Sequence, residues 1–258
     1  MMTIKNGADI QKMKAAGRVV EETLALMEKL VRPGVSTLEL DRAAEDFIRS
    51  KGAYPSFLHY NGYPKSICAS VNEQVVHGIP GHYRLKEGDI VGIDVGAKLD
   101  GFHGDAARTF CVGKVLPEVE ALVRVTRECF FAGLQYARPG YRISDISRAV
   151  QAHAEAHGYG VVRELIGHGI GRDMHEPPDV PNFVGGGFGR GVRLIPGMTI
   201  AVEPMINLGG REVLQLQDGW TVVTKDGKPS AHYENTIAIT EGDPIILTWS
   251  GGADYGPC

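Results

Sequence analysis

Gly88-Asp89-Ile90-Val91-Gly92-Ile93-Asp94-Val95-Gly96 is the stretch on which the fold turns. Ile90 to Val95 is apolar and β-branched, which reads as a buried strand. One carboxylate, Asp94, sits inside that run. Asp100-Gly101 then supplies a tight hairpin turn. A return strand is predicted from about Phe102 to Val112, with a second carboxylate at Asp105. A buried carboxylate needs a cation, a metal or several donors around it. A strand pair with one on each arm therefore calls for positive charge from elsewhere.

Upstream, Asn6 with Asp9 marks a helix start. Ile10, Met13, Gly17, Val20, Leu24, Met27 and Val31 then follow one helical face, and Arg32-Pro33-Gly34 ends it. Ser36 and Glu39 form a capping box for a second helix. Its inner face is Leu40, Ala44, Phe47 and Ile48, and Gly52 closes it. A Tyr/Gly/Pro-rich loop spans Tyr54 to Pro64, and short strands are predicted at Ser66–Val71 and Glu73–His77.

This plan recurs. Arg138-Pro139-Gly140 repeats Arg32-Pro33-Gly34, and at the same offset Ile146, Arg148, Ala149 and Gly158 answer Leu40, Arg42, Ala43 and Gly52. Leu194-Ile195-Pro196-Gly197 answers Leu85-Lys86-Glu87-Gly88, which sets Glu203 on the position of Asp94. Tyr233-Glu234-Asn235-Thr236-Ile237-Ala238-Ile239 reads as the counterpart of the return strand with Asp105 and Thr109-Phe110-Cys111-Val112, which puts Glu234 and Asp105 in repeat-related positions. Two copies are too few for a solenoid. The expectation is an α+β fold of two halves, face to face about a pseudo-twofold axis and sharing one core, with helices outside antiparallel sheet. The chain is read as one catalytic domain over 1–258. Its half-repeats span about 7–115 and 116–240, with a flexible tail at 250–258.

Composition narrows the class. Lys plus Arg number 27 against 31 Asp plus Glu, a formal charge of −4, which argues against a global basic field for nucleic acid. An apolar fraction of 43% excludes a disordered chain. No apolar run is long enough to span a membrane, and the start lacks a signal-peptide core. Cys68, Cys111, Cys129 and Cys258 show no C-x-x-C spacing, so a reduced, cytoplasmic protein is expected. Gly185 to Arg190 lacks the Gly-Lys-Ser/Thr ending of a phosphate loop and reads as a flexible connection.

Asp94, Asp105, Glu203 and Glu234 share one kind of setting, two from each half. Brought to the axis, four carboxylates cannot all stay ionised without cations between them, and two divalent ions would neutralise them. His168, between glycines in Gly167-His168-Gly169-Ile170-Gly171, is the candidate neutral ligand. An imidazole with carboxylates suits Mn(II), Fe(II), Co(II) or Mg(II) better than a thiolate site would, with Zn(II) admissible. Two such ions a few Å apart hold a bridging hydroxide, a nucleophile at neutral pH.

Six ordered motifs carry a resemblance. They are Val71-Asn72-Glu73-Gln74-Val75-Val76-His77-Gly78-Ile79-Pro80, Asp94-Val95-Gly96, Gly101-Phe102-His103-Gly104-Asp105-Ala106-Ala107-Arg108-Thr109, Gly167 to Gly171, Glu203-Pro204 and Tyr233-Glu234-Asn235-Thr236. Together they resemble the methionine aminopeptidases of the short, type I class, whose pita-bread fold is the two-half architecture reached above. The stretch between His168 and Glu203 leaves no room for the helical insert of the type II class.

The resemblance implies removal of the initiator methionine from nascent chains by a metal-bound water or hydroxide bridging two divalent ions. It makes Asp94 a chelating ligand of one ion, Asp105 and Glu234 bridges, and His168 and Glu203 the completion of the other site. It makes Glu203 the proton shuttle, puts His77 on the scissile amide and sets His175 on the carbonyl or oxyanion. The methionine pocket is expected from Tyr60, Tyr63, Cys68 and Trp220. Phe57 and Met174 are departures from the family pattern. His59, His82, His103, His153, His157 and His232 are read as surface or supporting residues. A monomer is expected, with ribosome association left open. The alternatives are an Xaa-Pro aminopeptidase-like enzyme, which usually carries a large N-terminal domain, and a non-catalytic pita-bread binding module.

Overall fold

The computed structural model describes residues 2–251 apart from Gly186, so most of the expected tail lies outside the described residues. The first half runs α1 (Gly7–Leu30), α2 (Thr37–Ser50), β1 (Tyr54–Pro55), β2 (Cys68–Val71), β3 (Gln74–Val76), β4 (Ile90–Leu99) and β5 (Phe102–Cys111). The second runs α3 (Pro117–Leu134), α4 (Ile143–Ala156), β6 (Gly160–Val161), β7 (Gly167–Gly169), β8 (Glu176–Val180), β9 (Thr199–Val202) and β10 (Met205–Asn207). It continues through β11 (Val213–Gln215), β12 (Val222–Thr224), β13 (Ser230–His232), β14 (Asn235–Ala238) and β15 (Ile245–Ile246).

Local chemistry explains the helices. Asn6 Oδ1 accepts from Asp9 N at 2.9 Å, and Asp9 Oδ2 accepts from Asn6 N at 3.2 Å. Ser36 and Glu39 do the same for α2, at 3.2 and 2.8 Å. Each reciprocal pair satisfies two backbone donors that a helix start leaves unpaired. Met13, Val20, Leu24 and Met27 of α1 are fully buried, as are Leu40, Ala44 and Ile48 of α2. Phe47 is only half-buried, and the Lys51 ammonium lies 4.9 Å from its ring centroid. Its place at the rim of the apolar stripe lets it cover the helix end instead of the core.

β4 and β5 form a ten-residue hairpin, from Ile90 opposite Cys111 to Leu99 opposite Phe102. Asp100 and Gly101 both take positive φ, 49° and 81°, as a two-residue hairpin turn requires. β1 and β2 pair with β4. In the second half the strand order is β15-β14-β9-β7-β8, and β13-β10-β6 and β11-β12-β3 form smaller sheets. Pro204 lacks a backbone donor, and the apolar run from Thr199 breaks there into β9 and β10.

The same backbone bonds recur in the two halves. Leu85 N donates to Val35 O at 2.9 Å, and Leu194 N to Tyr141 O at 3.0 Å. Gly88 N donates to Val112 O and Gly197 N to Ile239 O, both at 2.9 Å. Each half nonetheless has its own main apolar cluster, because its helices cover its own sheet. A smaller cluster, including Met13, Phe57, Phe102, Ile170 and Ala238, joins them. The core is thus divided, where the sequence suggested a single one.

The seam between halves corrects one expectation. Thr109 Oγ1 donates to His232 O at 3.0 Å and accepts from His232 N at 2.9 Å. Thr236 Oγ1 donates to Asp105 O at 2.9 Å and accepts from Asp105 N at 3.0 Å. Val91 stands opposite Phe110 as Ile200 stands opposite Ile237. In this register the counterpart of Asp105 is His232, and the counterpart of Glu234 is Ala107. The pairing of Glu234 with Asp105 is two residues off: matching carboxylate to carboxylate misses a register that the hydrogen bonds set.

Cys68 and Cys129 are buried free thiols, as expected, whereas Cys111 is disulfide-bonded and departs from the all-reduced reading. Cys258 lies outside the described residues. Among the described residues, no helix is long and apolar enough to cross a membrane.

Candidate metal centre

The strands deliver the carboxylates to one cavity of about 230 Å³ between the halves. Asp94 comes from the middle of β4, opposite Cys68 on one side and Ala107 on the other. Asp105 comes from β5, two steps along from the residue facing Asp94. Glu203 follows β9 and Glu234 precedes β14. His168 projects from the short strand β7, whose flanking glycines let neighbouring backbone close in: a Cβ at Gly169 would lie 2.6 Å from Glu176 O.

Donor atoms of Asp105, His168 and Glu234 all lie within 4.8 Å of one another. His168 Nε2 is 3.8 Å from Asp105 Oδ2 and 3.7 Å from Glu203 Oε1. His168 Nδ1 is 2.8 Å from Gly169 O. That bond places the ring proton on Nδ1 and leaves the Nε2 lone pair facing the carboxylates.

The charges are unbalanced. Burial pushes Asp94 up to about 7. Asp105 is raised by burial and then by Asp94 and Glu203. Glu203 is raised by burial and then by Asp94. Glu234 is raised by burial and then by its three carboxylate neighbours. Burial and the nearby His175 lower His168 to about 3, so it is neutral. Asp94 Oδ1, Asp105 Oδ1 and Glu234 Oε1 are buried without a hydrogen-bond partner. Buried polar atoms are normally satisfied, and Coulomb repulsion at these distances is strong. Orphaned oxygens, a bare imidazole nitrogen and a hard donor set fit divalent cations.

The other expected residues line the same cavity. His77 follows β3 at φ 58°, a conformation that costs a non-glycine residue energy and that surrounding contacts must hold. Burial, then His175, lowers its pKa. His175 Nδ1 is 2.7 Å from Tyr60 Oη, and its ring centroid is 4.1 Å from that of His168. The Tyr63 and Trp220 rings meet edge-on at 5.1 Å. Phe57, Cys68 and Met174 complete the apolar wall. Burial and then Asp94 raise the Cys68 thiol, which makes it an inert wall group.

His232, grouped by the sequence with the surface or supporting histidines, is a buried neighbour of the carboxylates. It is 4% exposed, and its Nε2 lies 3.7 Å from Glu203 Oε2 and 3.9 Å from Glu234 Oε2. Burial first, then His77 and Arg108, lower it to about 3, so it too is neutral. The signal was Thr109 and Thr236, which align the two halves by hydrogen bonding better than the carboxylates do. Arg108 closes the rear of the site, its guanidinium donating to Ala107 O, Glu234 O and Asn235 Oδ1.

Residues 11–241 match the model of metallopeptidase family M24. The methionine aminopeptidase of Clostridium perfringens is 55% identical over 248 residues, covering 96% of this chain and 99% of that one. Methionine aminopeptidase 1 of Bacillus subtilis is 51% identical with the same coverage. The crystal structure of the methionine aminopeptidase from Rickettsia prowazekii superposes with a TM-score of 0.93 at 43% identity, covering 96% of this chain and all of that one. The chain belongs to metallopeptidase family M24, with the pita-bread fold, and within that family to the type I methionine aminopeptidases.

Proposed function

We propose that the methionine aminopeptidase activity of this chain rests on two divalent cations held by Asp94, Asp105, His168, Glu203 and Glu234. The observation that carries this is the set of buried carboxylates with orphaned oxygens around the bare His168 Nε2. Cations bound there would supply Lewis acidity toward the scissile carbonyl and lower the pKa of water. The chain is proposed to work as one catalytic domain of two half-repeats, about 7–115 and 116–240.

The protein's own groups do the rest. Glu203, raised by burial, is suited to take a proton from the attacking water and deliver it to the departing amine. With Tyr60 Oη, 2.7 Å from His175 Nδ1, as the donor of that bond, Nε2–H would be free to donate to the developing oxyanion. His77, which lines the same cavity, is proposed to contact the scissile amide. Phe57, Tyr63, Cys68, Met174 and Trp220 form an apolar slot smaller than a drug-sized pocket, which suits one unbranched side chain. Aromatic edges there favour the methionine sulfur. The free α-amine sits toward Asp94, so formylated or acetylated chains are refused.

The test is methionine release from a Met-Gly-Met-Ala peptide by chelator-stripped protein after addition of Mn(II), Fe(II), Co(II) or Zn(II). Metal-dependent release of methionine is expected, with no cleavage of a Gly-Pro peptide or of the formylated substrate. Equal cleavage of formylated and free peptides would overturn the placement of the amine.

A further inference from the structure

We infer that His232 is a positioning residue of this centre: its Nε2–H donates to Glu203 Oε2 and so fixes the carboxylate that faces His168. The inference rests on the metal-centre reading above and adds to it a residue outside the proposed ligand set.

Three observations converge. First, His232 is buried and its Nε2 has no hydrogen-bond partner. A buried ring nitrogen without a hydrogen-bond partner is unfavourable, and the oxygens facing this one belong to Glu203 and Glu234, at 3.7 and 3.9 Å. With cations holding His168 Nε2 and Glu203 Oε1, the carboxylate would be ionised and acceptor-only, and His232, outside the ligand set, would offer its Oε2 a proton from Nε2. Closing the gap to a charge-assisted bond takes a shift of about 0.9 Å.

Second, Glu203 lies between two imidazoles, those of His168 and His232. Its Oε1 is 3.7 Å from His168 Nε2, a lone pair, and its Oε2 is 3.7 Å from His232 Nε2. One oxygen is thereby left to a cation while the other is held, which limits rotation of the carboxylate about its own axis. A proton carrier that also ligates needs such restraint.

Third, the backbone of His232 is as firmly anchored as that of a ligand. Thr109 bonds both its N and its O, just as Thr236 bonds those of Asp105. Asp105 and His232 are therefore mates across the pseudo-twofold seam. One half places an acceptor there, and the other a donor.

The experiment compares wild type, His232→Gln, which keeps an N–H donor, and His232→Leu, which keeps bulk without one. Mn(II) binding to the stripped proteins is measured by calorimetry, alongside kcat and KM for the Met-Gly-Met-Ala peptide. The Leu variant should bind Mn(II) roughly 10–100-fold more weakly and lose kcat to a similar degree with KM little changed. The Gln variant should recover most of both. Wild-type affinity and kcat in the Leu variant would overturn the role. So would a Gln variant as impaired as Leu that also binds fewer ions, because His232 would then be a ligand.

If the Leu variant fails to fold, nitrogen-15 NMR of the zinc-loaded wild type decides. A protonated Nε2 supports the donor, and an unprotonated, metal-shifted Nε2 refutes it. Wild type that takes up no metal would bring down the metal-centre reading itself, and this inference with it. Normal uptake by wild type and Leu variant alike would remove only the role of His232.

Discussion

Replacing Asp94 by Asn should stabilise the metal-free protein while crippling the loaded one. Asp94 titrates at about 7 in the fold against 3.8 for the free side chain. At about pH 8 its ionised form therefore costs the metal-free fold on the order of 4 kcal/mol. Asn removes the charge but brings amide groups whose incomplete bonds cost about 1–2 kcal/mol. The net expectation is a metal-free variant about 2–3 kcal/mol more stable than metal-free wild type.

The pH dependence follows from a folded-state pKa raised above the unfolded one. The penalty is complete above about 7, shrinks as pH falls through that value, and is gone below 3.8. At about pH 5.5 roughly 2 kcal/mol of it remains, so the variant's advantage should largely disappear. Adding Mn(II) at about 100 times its Kd should stabilise wild type by about 2.7 kcal/mol per site, and the variant much less. Urea denaturation followed by circular dichroism, with and without chelator, measures all four states. A metal-free variant no more stable than metal-free wild type at about pH 8 would refute the view that Asp94 is buried as an uncompensated charge.

Lys5→Met should destabilise the fold by about 3–5 kcal/mol in urea. It leaves Glu176 buried after removing an ion pair of 2.5 Å, and Glu176 also accepts from the backbone of Arg172 and Asp173 beside His175. Tyr60→Phe removes the 2.7 Å bond to His175 Nδ1 and should lower kcat about tenfold, with Mn(II) affinity by calorimetry unchanged. Gly104→Ala should lower the thermal midpoint by the equivalent of at least about 1–3 kcal/mol. Its Cβ would stand 2.8 Å from Gly17 N and 2.9 Å from Gly17 Cα, where β5 meets α1 and only backbone could yield.

Much of this protein is written locally. Capping boxes at Asn6 and Ser36, the Asp100-Gly101 turn and the β-branched run around Asp94 act within a few residues of themselves, and the helices and the long hairpin follow from them. The anomaly of carboxylates in apolar strands was equally legible, because burying charge is costly in any fold. The repeat could also be read, since helix ends and turns recur in chemistry that local geometry demands. Tertiary structure decided what joins distant segments. The seam bonds of Thr109 and Thr236 set a register two residues away from the one that carboxylate matching suggests. That register, and no local pattern, puts His232 beside Glu203. The contacts of Tyr60 with His175 and of Lys5 with Glu176 are of the same kind. Periodicity tells which face of an element is buried, but the partner of a buried polar group is chosen by how whole elements pack, and that choice exists only in the folded chain.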